Sequence, residues 1–97
     1  MIVGISSFEL HLPASRSLKD KRRVVKSLVD KIHQRFRVSV AETDFHDLHQ
    51  RAEISMAAVT NGEGEMNNLM EEIRSLVESQ PEAFLTRWDP QILEGSQ

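Results

Sequence analysis

Ser17-Leu18-Lys19-Asp20-Lys21-Arg22-Arg23-Val24-Val25-Lys26 is the stretch from which the rest of the chain is read. Ser17 is a good N-cap, and Asp20, three residues on, completes a box-like cap with Asp in place of the usual Glu or Gln. A helix is therefore predicted from Leu18 to Arg35 or Phe36. At about 100° per residue, Leu18, Val25, Leu28, Val29, Ile32 and Phe36 fall on one apolar arc, with Val24 at its edge. Lys19, Arg22, Lys26 and His33 form a ridge along one flank, and Arg23 lies beside it. Lys21 differs from the other cations because it projects from within the apolar arc, where it has to snorkel out or find an anion. Cations are mildly disfavoured at the positive end of a helix dipole, so their density in this first turn calls for a partner.

Upstream, residues 2–12 read as a strand. Phe8, Leu10 and Leu12 alternate with Ser7, Glu9 and His11, the period of a half-buried strand. Val3 and Ile5 sit on the opposite parity. Either both faces are covered there, or a bulge near Ser6-Ser7 shifts the register. Pro13 ends the strand, and residues 13–16 connect it to the helix.

Downstream, residues 38–43 read as a short second strand and residues 44–50 as a polar connection with Phe45 and Leu48 as apolar anchors. A third strand is predicted over 51–60, with Ala52, Ile54, Met56 and Ala58 on one face. Asn61-Gly62-Glu63-Gly64 is a turn. A second helix follows over 65–79, where Met66, Leu69, Met70, Ile73, Leu76 and Val77 make an amphipathic stripe that Pro81 stops. Residues 83–93 form the last strand, which Pro90 places at a sheet edge.

The order is βαββαβ. Two helices with one apolar stripe each need one sheet face between them, and crossovers are right-handed. The expected fold is α+β: a single ferredoxin-like domain over residues 1–97, with an antiparallel four-stranded sheet carrying both helices on one face and bare on the other.

A chain of 97 residues makes one domain that buries about 60–65% of its unfolded surface. With no cysteine it has no disulfide, no thiolate nucleophile and no cysteine-held zinc. No apolar run is long enough to span a membrane, and the N-terminus has no basic segment and carries Glu9, so a cytoplasmic protein is expected. The net charge of −3 hides an asymmetry: Met1 to Arg37 holds nine Lys and Arg against three acids, and the remainder holds three against twelve. Such a chain can offer a basic face to an anionic partner or pair with its own copies.

The chemistry-bearing residues are few. Arg16, Lys19, Lys21, Arg22, Arg23 and Lys26 fall within about 15 Å on a helix, close enough to meet several phosphates of RNA or of a ribosomal surface. The bare sheet face is expected to carry Ser7, Glu9, His11, Glu53 and Ser55, with no aromatic platform for stacking bases. Asp44, His46, Asp47 and His49 offer metal donors in one loop, but no further ligand can be placed to close a site, and no metal or other cofactor is assigned. Ser7 and His11 share a strand face roughly 13 Å apart, too far to form a catalytic relay. Glu42 and Glu53 are candidates for a carboxylate pair across the second hairpin. No phosphate loop or nucleophile elbow is present, so no enzymatic activity is expected.

Several segments resemble the YlxP-like family of small bacterial proteins, a domain of unknown function: Met1-Ile2-Val3-Gly4, Glu9 to Pro13, Ser15 to Arg23, Phe36 to Glu42 and Gln50-Arg51-Ala52. The Ser-Leu-Lys-x-Lys-Arg block is the most specific of them. The resemblance implies a ferredoxin-like fold and, because the family's genes often sit beside those of transcription and translation factors including a ribosome-binding factor, a role around RNA or the ribosome. Where the family typically has an aromatic before Gln-Arg-Ala, this chain has His49. The leading expectation is a non-enzymatic accessory protein docking on RNA or ribosome through the first turn of the first helix. The alternative is an ACT-like regulatory module, a homodimer through the open sheet face with a small ligand bound there.

Overall fold

The computed structural model describes residues 1–95 and bears out the βαββαβ order. Strand β1 (Ile2–His11) leads to helix α1 (Leu18–Arg35), then come β2 (Ser39–Asp44), β3 (Arg51–Thr60) and helix α2 (Glu63–Glu78). The last predicted strand is in two pieces, β4 (Phe84–Arg87) and β5 (Pro90–Glu94), which pair with the two ends of β1. The sheet therefore has five strands in four lanes, ordered β2-β3-β1 and then β4 with β5, and every pairing is antiparallel.

The β1–β3 register runs without a break from Ile2↔Thr60 to His11↔Arg51, so no bulge lies at Ser6-Ser7. The even-numbered residues of both strands face the helices, where Phe8, Leu10, Ile54 and Ala52 are fully buried against Leu28 and Ile32 of α1 and Met66, Ile73 and Val77 of α2. Gly4 lies under α2: a Cβ there would run into the side chains of Met66 and Met70. Ser6 is the polar exception on this face, with a buried hydroxyl that has no hydrogen-bond partner among the described residues.

The α1 cap forms with one difference from the expected box. Ser17 Oγ accepts from the Asp20 N–H at 3.1 Å, and the Asp20 carboxylate reaches back to the N–H of Arg16 at 3.0 Å, not to Ser17. Helix α2 starts at Glu63, two residues earlier than the stripe suggests, with Gly62 as an N-cap lacking a side-chain bond. Glu63 and Glu65 in its first turn suit the positive end of the helix dipole.

Candidate functional site

Of the six cations assigned to polyanion docking, Lys21 must be withdrawn. Its side chain is fully buried. The ammonium donates to the carbonyls of Phe45 at 2.7 Å, Arg51 at 3.3 Å and His46 at 3.5 Å, and lies 3.0 Å from Glu42 Oε2. A charge enclosed this way has found its anion inside the protein, because a buried ion persists only when it is paired and hydrogen-bonded. Its job is to pin the 44–50 loop against α1. Phe45 holds a positive φ of 61°, which is costly for a bulky side chain and persists only where the surroundings fix it. Lys21 on its carbonyl and the Arg51 guanidinium 3.9 Å over its ring provide that fixing.

Two more of the six are engaged at the surface. Arg23 forms a forked pair with Glu82, at 3.2 and 3.3 Å, whose hydrogen bond and charge raise the guanidinium above its ordinary value. Lys26 pairs one helical turn on with Asp30 at 2.9 Å, which raises it likewise. Arg16, Lys19 and Arg22 are exposed and make no ion pair with the described residues. Glu42 and Glu53 are not a carboxylate pair. Glu42 belongs to the Lys21 pocket, whereas Glu53, on the opposite parity, stands on the bare sheet face. Among the described residues no three metal-ligating side chains converge, so the donors of the 44–50 loop do not assemble.

The helix-free sheet face carries Ser7, Glu9, His11, Glu53 and Ser55 as expected, together with residues the sequence reading passed over. The odd-numbered register pairs are Val3↔Val59, Ile5↔Ala57, Ser7↔Ser55, Glu9↔Glu53 and His11↔Arg51. Leu93 lies opposite Val3, Gln91 opposite Ile5, and Phe84 opposite His11. The face thus divides into an apolar half and a charged half. In the charged half Glu9 meets Arg51 at 3.1 Å and Arg87 at 3.7 Å, and Arg87 also meets Glu53 at 3.4 Å.

Between the halves a groove of about 560 Å³ is lined by Ile5, Ser7, Ser39, Ser55, Arg87 and Asp89 among others. It sits where the outer lane is interrupted. Arg87 pairs with Glu9 and Pro90 with Ser6, which leaves Trp88 and Asp89 outside the ladder. Trp88 turns inward to pack on Phe8, ring centroids 5.4 Å apart, and Asp89 lines the groove. Extending the parity of Val3 and Ile5 to Val59 and Leu93 was the signal that could have found the apolar half. Locally only Pro90 marked the break at Trp88-Asp89, and it reads equally as a residue of an unbroken edge strand.

The family described as protein of unknown function (DUF503) matches residues 3–89. The uncharacterised protein YlxP of Bacillus subtilis (strain 168) is 27% identical over 81 residues, which cover 84% of this chain and 88% of that protein. Among solved structures, a de novo designed protein with a ferredoxin fold, determined by solution NMR, superposes with a TM-score of 0.52 at 14% identity, covering 100% of this chain and 90% of the other. That likeness concerns the fold alone, and it agrees with the sheet order above. No helix among the described residues is long and apolar enough to cross a membrane.

Proposed function

The chain belongs to the DUF503 family of proteins of unknown function, and we propose that it is a non-catalytic binding module working as two copies closed on their helix-free sheet faces. One observation carries this reading. Among the described residues six large apolar side chains are exposed, and four stand on that single face: Ile5, Val59 and Leu93 together in its apolar half, and Phe84 at the far end opposite His11. Scattered exposed apolar residues are ordinary, but a cluster on one sheet face marks a surface that is covered in use.

Size and charge favour a second copy as the cover. Ten residues at about 3.3 Å and four lanes at about 4.8 Å give a face of roughly 600 Å², so a pair buries about 1,200 Å², the lower end of stable interfaces. Glu9, Glu53, Arg51 and Arg87 neutralise one another within the chain, so the two faces do not repel and the surface has no pull on a polyanion. Sedimentation velocity over protein concentrations from about 1 to about 100 µM should find a pair. Ile5→Glu with Val59→Glu should return a single copy with little change in melting temperature, because both side chains face solvent in one chain. A wild type that sediments as a single copy throughout would rule the pair out.

A second reading keeps a polyanion at the α1 tip, favoured by Arg16, Lys19 and Arg22, which make no ion pair among the described residues. The exposed pairs of Arg23 and Lys26 are weak enough to exchange for phosphate. Its test is Lys19→Glu with Arg22→Glu, since Lys21 variants would disturb the fold. Co-sedimentation with ribosomes or RNA should fall, and the salt slope should lessen by about 2. Unchanged co-sedimentation removes this reading and leaves the first intact.

A further inference from the structure

We infer that the groove at the break between β4 and β5 takes a primary ammonium group carried on a short apolar body. The inference rests on the paired reading only for its lid: a second copy would close the groove, but its walls belong to one chain.

Three hydroxyls hand their hydrogens on in one direction across the sheet face. Ionised Glu53 has lone pairs only, so Thr43 Oγ1, 2.6 Å from Glu53 Oε1, spends its single hydrogen there. Thr43 must then accept from Ser55 at 2.7 Å, and Ser55, its hydrogen spent, must accept from Ser7 at 2.8 Å. Every hydroxyl hydrogen of the Ser7–Ser55–Thr43 series runs towards Glu53. Ser7 Oγ ends the series in the groove with lone pairs alone to offer. Asp89, exposed outside the ladder, lines the same groove and carries a second acceptor in its carboxylate.

Charge points the same way. Arg87, the cation of the groove wall, is already held by Glu9 and Glu53. Of the residues lining the groove only Arg87 and Asp89 are charged, so with Arg87 engaged Asp89 is the charge left to a ligand. An ammonium supplies hydrogens to acceptors that have none to give, with the stronger bonding of a charged donor. Ile5, Ala41 and Ala57, which share the open-face parity, line the remainder and suit a short hydrocarbon. A volume of about 560 Å³ is that of a small-molecule site.

The test is a titration of the full chain followed by backbone amide NMR, with n-butylammonium, butyrate and n-butanol as probes. It is run on the wild type and on the pairing-deficient variant Ile5→Glu/Val59→Glu, with Val59→Glu alone as a second variant that leaves the groove wall intact. Butylammonium should shift the Ser7, Ser55 and Asp89 amides saturably, and the other two probes should not. Asp89→Asn and Ser7→Ala should each weaken binding about tenfold, the loss of one charge-assisted bond. Val59→Glu alone should keep the preference for the amine with weaker binding, so failure of pairing leaves the site standing. Equal shifts from butyrate or butanol, no shift from any probe, or unweakened binding by Asp89→Asn would overturn the inference while leaving the pair untouched.

Discussion

Lys21 shows how far one residue can be read from sequence. Its place in the apolar arc of α1 marked it as a cation in need of an anion, and that part of the reading held. What supplied the anion was not legible. Glu42 and the carbonyls of Phe45, His46 and Arg51 come from two strands and the loop between them, more than twenty residues away, brought in by the β2–β3 hairpin. Lys21→Met should cost about 3–5 kcal/mol in urea unfolding, because it strands a buried carboxylate and three carbonyls. Arg23→Ala, losing an exposed pair, should cost about 1 kcal/mol or less in the same assay. Ser6 is the opposite case, a buried hydroxyl with no partner among the described residues. Ser6→Ala should leave stability unchanged or raise it by about 1 kcal/mol, since it removes a desolvated group whose bond is unmade.

At the level of elements, β1 held the information that mattered. Val3 and Ile5 on the parity of Ser7 and Glu9 left two alternatives, a bulge or cover on both faces. The unbroken β1–β3 register removes the bulge, and the second face of β1 is then apolar at one end with no helix above it. The elements and their order were legible because two strong stripes and alternating strands each carry their own period. The split of the last strand was not, because Trp88 leaves the ladder to reach Phe8, a contact that depends on tertiary packing. The candidate groove exists because of that split and was correspondingly invisible. Gly4 gives an element-scale prediction: with α2 seated on it through Met66 and Met70, Gly4→Val should cost about 1–3 kcal/mol by overpacking, read as a lowered urea midpoint at unchanged slope.

For the whole molecule, the asymmetry of basic first third and acidic remainder is met only in part by the fold. Of the nine cations before Val38, Lys21 on Glu42 and Arg23 on Glu82 pair with acids of the remainder, and Lys26 pairs with Asp30 on its own helix. A charge run along one helix therefore overstated the basic surface, while the apolar patch was understated because its members come from β1, β3 and β5. The account turns on that patch lying against its own copy. Mixing isotope-labelled with unlabelled chains and recording filtered NOEs from the Val59 and Leu93 methyl groups tests this directly. Contacts from those methyls to Ile5, Val59 or Leu93 of the unlabelled copy are predicted. Methyl groups that see only solvent and their own chain, at a concentration where the pair should be full, would contradict it.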